Sequence, residues 1–518
     1  MSEIRHVALL AFPWSFCIAA FQAVEKAPSA ALPQKVQTLA YWIYASVLNF
    51  LCALHLWLFE QPEEIIFVNN VFPLFAKHRR FSLSHIVVGG GLAGAECALA
   101  LARAGLAVTL FEMRPARTTP AHQTDLLAEL VCSNSLRSDE PVTAVGLLKE
   151  EMAALGSEVM RAARATSVPA GKALAVDREL FAREITRAVS EHPLIHVLRC
   201  EIESLDDPAL VGAKAVAVCA GPLASDSLAK SLAANIGGEG LYFYDAIAPI
   251  VDAASIDMEH AFWGSRWRPE DDDYLNCPLS EEEYKALVAA LLAAEKVPCR
   301  DFEKAVHFEG CLPVEEMAER GEMTLAFGPL KPVGLVDPRT GKRPFAVVQL
   351  RAENRERTAF NLVGFQTKLK YPEQDRVFRL IPALAKAEFL RFGSIHRNTF
   401  VDAPRVLTDD LELRARPGTF LAGQITGVEG YLESAACGLW LGMVLAAREA
   451  GRTLARPPRE TALGALLGHL KSEAKGFQPS NVNFGLMPEL SGRVKKKQRK
   501  ETYAARAREA FVAWLGAR

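Results

Sequence analysis

The sequence lacks a Cys-x-x-Cys pair. Its ten cysteines are scattered through 518 residues, and no two are separated by two residues. This spacing argues against a disulfide scaffold, a zinc ribbon and a dithiol redox centre, so we predict no metal site. A reducing cytoplasm is the simplest compartment for such a chain. Strong charge is also missing: the net charge is −2, so any nucleic-acid surface has to be a local patch.

Charged residues are absent from residues 39–59, which read LAYWIYASVLNFLCALHLWLF. A helix of ~20 apolar residues crosses a bilayer, but Ser46, Asn49 and His55 dilute this run. A cleaved signal peptide fits poorly because no basic region directly precedes the apolar residues. We expect residues 1–83 to form an atypical hydrophobic extension peripheral to the folded remainder. Membrane contact through residues 39–59 is the alternative.

A G-x-G-x-x-G motif follows the apolar run His85-Ile86-Val87-Val88 and precedes an Ala/Leu-rich segment, Ala95 to Ala104. This order predicts strand, tight turn and helix, with Gly105 ending the helix. A second strand, 107–111, ends at Glu112, 18 residues after the last glycine, where a carboxylate accepts ribose hydroxyls. The context favours a dinucleotide site formed by Gly89, Gly90, Gly91, Leu92, Ala93, Gly94 and Glu112.

Two later segments favour FAD over NAD. AVAVCAG at 215–221 is an apolar strand that runs into a turn at Gly221, as in the third strand of FAD-type Rossmann domains. TFLAGQITGVEGYLESAACGLWL, from Thr419, predicts a short strand, a glycine-rich turn and a helix beginning near Tyr431. The amides of this turn can meet the flavin. The cofactor-binding residues predicted in it are Gly423, Gln424, Gly427 and Gly430.

Successive blocks after the second strand are shared, in order, with one known family. They include TPAHQTDLLAELVCSNSLRS from Thr119, VPAGKALAVDRELF from Val168, DYLNCPL from Asp273, FEGCLPVEEMAERG from Phe308 and VVQLRAEN from Val347. From Ser84 to its C-terminus the chain resembles the folate- and FAD-dependent tRNA (uracil-C5)-methyltransferase family. The resemblance implies methylation of C5 of the T-loop uridine of tRNA. It further implies 5,10-methylenetetrahydrofolate as carbon donor and reduced FAD, refilled by NAD(P)H, as carrier and reductant.

Two cysteines match positions that the family treats as important: Cys132 in AELVCSNS and Cys277 in YLNCPL. C5 of uracil becomes nucleophilic only after a group adds to C6, and a thiolate is the best side-chain candidate. A second group must then remove the proton from C5. We assign nucleophile and base to this pair without deciding which is which.

Further polar residues in the shared blocks are candidates to line the flavin, folate or RNA: Arg114, His122, Asn134, Arg137, Lys149, Arg178, Asp245, Arg351, Gln366 and Arg397. Of these, Arg114 is assigned to the cofactor site. One residue departs from the family pattern, because Lys172 stands where a second glycine is expected. If that glycine supplies a positive φ, Lys172 alters the folate pocket or a loop beside it.

The segment RVKKKQRK contains six basic residues out of eight and precedes a helical C-terminal sequence. Such a run can neutralise RNA phosphates. The predicted RNA-binding residues are Arg493, Lys495, Lys496, Lys497, Arg499 and Lys500. No protein partner is inferred beyond the tRNA, folate and nicotinamide substrates.

The predicted fold is α/β: a Rossmann-like FAD-binding domain interrupted by an α/β insertion and followed by a helical tail. The predicted boundaries are 84–236 and 395–455 for the FAD domain, 237–394 for the insertion and 456–518 for the basic tail. Three alternatives remain open. They are the same chemistry on ribosomal RNA, an FAD/NAD(P)H enzyme of the related wobble-uridine modification family, and a plain flavin oxidoreductase.

Overall fold

The computed structural model describes residues 84–119, 121–237, 241–266, 271–297, 312–472, 477–492 and 494–517. The hydrophobic extension 1–83, with its apolar run 39–59, and Arg493 of the basic segment lie outside these residues.

Sixteen strands lie within the described residues: β1 His85–Val88, β2 Val108–Phe111, β3 Ser135–Ser138, β4 Ser167–Val168, β5 Ala173–Val176, β6 Ile195–Leu198, β7 Ala215–Val218, β8 Leu241–Ala246, β9 Ile250–Asp252, β10 Phe262–Trp263, β11 Tyr274–Leu279, β12 Ala346–Ala352, β13 Ala359–Leu362, β14 Phe389–Arg391, β15 Ile395–Phe400 and β16 Thr419–Leu421. Thirteen α-helices are described with them: α1 Leu92–Arg103, α2 Ala144–Ala154, α3 Glu158–Ala165, α4 Arg178–Ser190, α5 Asp226–Ile236, α6 Glu281–Ala293, α7 Val314–Glu319, α8 Thr324–Phe327, α9 Tyr371–Phe378, α10 Ala403–Val406, α11 Tyr431–Glu449, α12 Ala462–His469 and α13 Arg499–Gly516.

A five-stranded parallel sheet with order β16-β7-β1-β2-β6 forms the Rossmann-like part. This arrangement confirms the predicted fold class. The carboxyl ends of parallel strands lie at one edge, so the turns after β1, β2, β7 and β16 meet there. The first helix begins at Leu92, three residues before the predicted start, because Gly91 already serves as its N-cap.

Helices α1 and α11 pack on each other with backbones in close approach. A Cβ added at Gly438 would lie 2.0 Å from the carbonyl oxygen of Ala93, and one at Gly442 would lie 2.6 Å from the Cβ of Ala100. Only glycine permits this contact. Because Gly423, in the turn before α11, lies against Ala93 in the first turn of α1, the N-termini of α1 and α11 open on the same region of the sheet edge.

A second, six-stranded antiparallel sheet has the order β10-β11-β12-β13-β9-β14. Its buried side chains, between Val251 and Ala387, form a core with α6, α7 and α9. The other large core draws on residues 86–232 and 400–514, so the chain leaves it after α5 and returns at β15. The C-terminal helices belong to this first core, where Trp514 of α13 contacts Trp440 of α11 with ring centroids 6.4 Å apart.

Within the described part of the chain, no helix combines the length and apolar character needed to cross a membrane.

Candidate active site

The turn between β1 and α1 has the geometry of a phosphate-binding loop. A Cβ at Gly89 (φ +102°) would lie 2.5 Å from the carbonyl oxygen of Cys219, and one at Gly94 would lie 1.8 Å from that of Gly89. Gly91 instead faces open space, with no atom within 4 Å of an added Cβ. It is also the N-cap of α1 and makes no side-chain cap. The free amides at this helix N-terminus can therefore receive a pyrophosphate.

Glu112 lies buried at the end of β2, beside that loop. Its Oε2 accepts from the amide of Gly90 at 2.8 Å, and its Oε1 accepts from Nε of Arg114 at 2.9 Å. Burial opposes ionisation of the carboxyl, but these hydrogen bonds hold the pKa of Glu112 below its ordinary value. Arg114 is itself buried and also pairs with Glu129 at 3.2 Å. Arg114 thus orients the predicted ribose acceptor.

The glycine-rich turn after β16 lies against α1. A Cβ added at Gly423 (φ +84°) would lie 2.7 Å from the Cβ of Ala93, and one added at Gly427 (φ +92°) would lie 2.3 Å from the Phe477 ring. Gly430 (φ +113°) is the N-cap of α11, and Gln424 donates to Glu429 at 2.6 Å. Gly221 follows β7 with φ +67° and faces open space. The predicted cofactor residues are therefore gathered at one sheet edge.

Cys132 is half-buried and is tied to the start of α11. Its amide donates to the hydroxyl of Tyr431 at 2.7 Å, and the amide of Ser133 donates to the same oxygen at 3.2 Å. The thiol donates to the carbonyl of Ala246 at 3.6 Å. Burial, with Cys132 as a neighbour, raises the pKa of Tyr431, so the phenol stays protonated. Tyr431 thereby fixes the cysteine loop beside the glycine turn.

Three arginines face Cys132 from other elements: Arg178, Arg351 and Arg391. Burial lowers the pKa of Arg351 and of Arg391. Burial also acts on Arg178, but the carboxylate of Glu353 lies 2.7 Å from its Nε, and this ion pair raises the pKa of Arg178. Arginine remains charged in proteins. Three guanidinium groups with one carboxylate make this region electropositive. Arg178 and Arg351 stand in the blocks shared with the family, whereas Arg391 carried no signal in the sequence.

Asn134 joins this loop to the second sheet. Its side-chain amide donates to the carbonyls of Val176 and Ala352, each at 2.9 Å, and its Oδ1 accepts from Nε of Arg351, also at 2.9 Å. Asn134 is fully buried and satisfies donors and acceptors on both sides. It connects the two parts of the molecule at the candidate site.

The structure does not bring Cys277 to Cys132. Cys277 pairs with Val348 across β11 and β12, and its fully buried side chain belongs to the apolar core of the second sheet. Tyr274, three residues earlier, pairs with Arg351, so it lies on the opposite face, which is turned towards Asn134. Burial raises the pKa of the Cys277 thiol to about 12. The alternation in YLNCPL places Cys277 with the leucines, and its catalytic role stays a prediction.

The basic segment is exposed where it is described. Lys495, Lys496 and Lys497 precede α13, whose first two residues are Arg499 and Lys500, and all five side chains face solvent. Helix α13 is held on α2 by the ion pair of Arg508 with Glu150 at 2.8 Å. The position of these cations relative to a bound RNA stays a prediction.

Lys172 is accommodated without strain. The positive φ of its loop, +60°, belongs to Gly171, whose amide donates to Asp273 at 2.6 Å. The Lys172 side chain points to solvent and pairs with Glu140 at 2.6 Å. Among the described side chains, no group of three or more His, Cys, Asp or Glu residues is arranged to hold a metal ion.

Comparison with known proteins places this geometry in a family. Residues 84–453 match the family model described as glucose inhibited division protein A. The chain is 65% identical over 431 residues to the methylenetetrahydrofolate–tRNA-(uracil-5-)-methyltransferase TrmFO of Oleidesulfovibrio alaskensis, covering 83% of this chain and 97% of that protein. The protein of the same name from Geobacter sulfurreducens is 58% identical over 431 residues, with 83% and 98% covered.

Among solved structures, Aquifex aeolicus GidA in its form II crystal gives a TM-score of 0.60 at 16% identity, covering 83% of this chain and 73% of that one. This likeness concerns the fold alone. The identity and coverage of the sequence relatives show that the chain belongs to the methylenetetrahydrofolate–tRNA-(uracil-5-)-methyltransferase (TrmFO) family.

Proposed function

We propose that this protein methylates C5 of the T-loop uridine of tRNA, with 5,10-methylenetetrahydrofolate as carbon donor and NAD(P)H as the source of electrons. The observation that carries the proposal is the position of Cys132, a half-buried thiol bound through its amide to Tyr431 at the N-terminus of α11. Because its substrates are tRNA and reduced folate, we place the enzyme in the cytoplasm.

The glycine-lined sheet edge fits FAD. The open space at Gly91 leaves room for the pyrophosphate, Glu112 offers an ionised acceptor to the ribose, and the turn from Gly423 to Gly430 supplies amides for the flavin end. Bound there, FAD supplies reducing equivalents and carries the one-carbon unit. The protein contributes the positions of its own thiol, amides and guanidinium groups around that chemistry.

Cys132 is the thiol that we assign to the reacting base. Its amide is anchored while its side chain remains partly accessible, as a group that contacts a substrate requires. Arg178, Arg351 and Arg391 place positive charge around it. Such charge stabilises the negative charge that develops on the uracil ring during addition at C6.

The second catalytic group is a separate question, because Cys277 is sealed in an apolar core with a pKa of about 12. Cys311 stands in another block shared with the family and lies outside the described residues. Because it stands in such a block, Cys311 belongs in the test beside Cys277.

The test is transfer of label from the methylene carbon of the folate to unmodified tRNA transcript, with purified enzyme, FAD and NADPH. We expect label in the T-loop uridine and a loss of about 10²-fold or more in Cys132→Ala, because proton transfer or nucleophilic attack is removed. Cys277→Ala is the matched buried control and is expected to retain activity. Cys311→Ala tests whether that thiol is the second catalytic group.

Other outcomes would change the assignment. Activity lost in Cys277→Ala but retained in Cys311→Ala would restore the predicted pair and require the second sheet to open. Label in ribosomal RNA but not in tRNA would change the substrate. Reduction of the flavin without labelling of any RNA would leave a plain flavin oxidoreductase.

The exposed cations of the basic segment are proposed to bind tRNA phosphates. Each phosphate contact contributes a slope of about 0.7 to 0.9 to the dependence of log affinity on log salt. Replacing Lys495, Lys496 and Lys497 by Gln should therefore lower that slope by about 2 to 3 and weaken binding at low salt. The matched control is Lys285→Gln, an exposed lysine of α6 that already pairs with Glu281. An unchanged slope would place the phosphates elsewhere.

A further inference from the structure

An ion pair joins the strand that follows the cysteine loop to the first turn of α11. Arg137 lies in β3, five residues after Cys132, and its Nη2 pairs with Oε1 of Glu433. Glu433 is fully buried, and its Oε1 also accepts from the amide of Val482 at 2.8 Å. The side chain of Arg137 is 37% exposed, so the guanidinium group reaches solvent and the carboxylate lies beneath it. A carboxylate buried in this way needs its cation, because an unpaired buried charge is costly.

The ion pair lies directly against the N-cap of α11. A Cβ added at Gly430 would lie 2.5 Å from Oε2 of Glu433 and 3.5 Å from Nη2 of Arg137. Gly430 belongs to the turn that we assign to the flavin end, and the next residue, Tyr431, accepts from the amide of Cys132. The segment that carries the thiol is therefore tied to the start of α11 at two points, one through Tyr431 and one through Glu433.

Arg137 adopts a backbone conformation that arginine disfavours. Its φ is +61°, in the left-handed region where glycine is favoured because it has no Cβ. The pairing of β3 with β5 shifts register between Ser135 and Ser138, and a bulge of this kind re-aims a side chain. Lys149, buried in α2, holds this backbone by donating to the carbonyls of Arg137 and Ser138. Glycine would adopt the conformation at lower cost, so the strain at Arg137 points to a function for its side chain.

We propose that Arg137 is a positioning residue, which sets the Cys132 thiol relative to the N-terminus of α11 through its ion pair with Glu433. This inference rests on the proposed function, because the thiol and the flavin end have to act on the same uracil ring. The hydrogen bond to Tyr431 fixes the cysteine loop at one place, and a second contact is needed to fix its orientation. A misplacement of about 1 Å can lower a rate by about 10²-fold, so the second contact should affect catalysis.

The experiment uses the FAD-loaded enzyme and measures kcat and KM for unmodified tRNA and for 5,10-methylenetetrahydrofolate. It also measures the rate at which iodoacetamide modifies the Cys132 peptide. In Arg137→Gln we expect kcat to fall at least about ten-fold, because the thiol loses its alignment, while both KM values stay within about two-fold. The Cys132 peptide should be modified faster than in the native enzyme, because the half-buried thiol becomes more mobile.

Three further variants separate positioning from folding. Arg137→Gln leaves the buried carboxylate of Glu433 without its cation, so the double variant Arg137→Gln/Glu433→Gln is measured beside it. The double variant has no unpaired charge and should show the same loss of kcat. Arg137→Lys keeps a cation on Glu433, through the single nitrogen that the pair uses, and should return kcat to within about three-fold of the native value. Arg164→Gln is the matched control, because Arg164 of α3 pairs with Asp139, next to the same strand, at 2.8 Å, and it should behave as the native enzyme does.

Two results would overturn the proposal. Native kcat and native modification rates in Arg137→Gln and in the double variant would make the ion pair a structural support. A raised KM for the folate or the tRNA at unchanged kcat would make Arg137 a substrate-binding residue. Failure of the native enzyme to label any RNA would instead contradict the proposed function. The modification rates of Cys132 do not depend on turnover, so they test the positioning separately and the two failures are distinguishable.

Discussion

Cys132 and Cys277 occupy opposite environments around the second sheet. Cys132 lies beside the face that carries Arg351, with a hydroxyl, a carbonyl and three guanidinium groups around it. Cys277 lies on the other face, among leucines and valines of the apolar core. Both cysteines match family motifs, so the motifs alone do not distinguish them. The alternation of side chains along β11 does, because it places Cys277 on the face of the apolar core. Environment, more than motif membership, decides which thiol can meet a substrate.

Thiol alkylation should give the largest difference between these environments. A pKa raised from 9 to about 12 reduces the thiolate fraction of Cys277 at pH 8 by roughly 10³-fold, and burial adds steric protection. We expect iodoacetamide to modify the Cys277 peptide at least about 10³-fold more slowly in the native protein than after unfolding. Mass spectrometry of the peptides gives both rates, and the Cys132 peptide should label in the native protein.

The raised pKa of Cys277 should also make the folding stability depend on pH. Because the folded pKa lies above the unfolded value, the stabilisation from Cys277 is complete below pH 9 and is lost as pH rises to about 12. Rapid native labelling of Cys277 would show that the second sheet opens and would revive it as a catalytic candidate.

Local patterns in the sequence predict the relative positions of one half of the candidate site. Gly89, Gly91, Gly94 and Glu112 lie within one strand–helix–strand unit, so their spacing alone sets their relation. The hydrogen bond between Cys132 and Tyr431 joins residues 299 apart in sequence, and Arg391 reaches Val131 across 260. No local spacing encodes such contacts, because the first joins segments on either side of the insertion and the second joins the insertion to the loop that carries Cys132. The environment around the thiol therefore required the structure.

Removing the buried negative charge of Glu353, near Cys132, should give the next largest effect, a loss of folding stability. Glu353 is buried and is the carboxylate that pairs with Arg178, and it also accepts from Asn361. Glu353→Gln leaves buried guanidinium charge uncompensated, for which about 3–5 kcal/mol of destabilisation is typical. Urea unfolding at pH 7 measures this loss.

Arg178 holds the pKa of Glu353 below its ordinary value despite burial, so the stabilisation is present above that ordinary value and is lost as pH falls below it. A change below about 1 kcal/mol would show that water already screens the cluster.

Lys172→Gly should change stability and activity least. It tests whether the polar region around Cys132 extends to the loop before β5. The ion pair of Lys172 with Glu140 is exposed, with 43% and 39% of the side chains accessible, so its loss should cost no more than about 1 kcal/mol of unfolding free energy. The positive φ belongs to Gly171, and the Gly171–Asp273 hydrogen bond does not involve the lysine side chain. We therefore expect the KM for the folate in Lys172→Gly to stay within about two-fold of the native value, a difference below about 0.5 kcal/mol. A larger change would mean that this loop contacts the folate, and the polar region around Cys132 would then extend to the loop before β5.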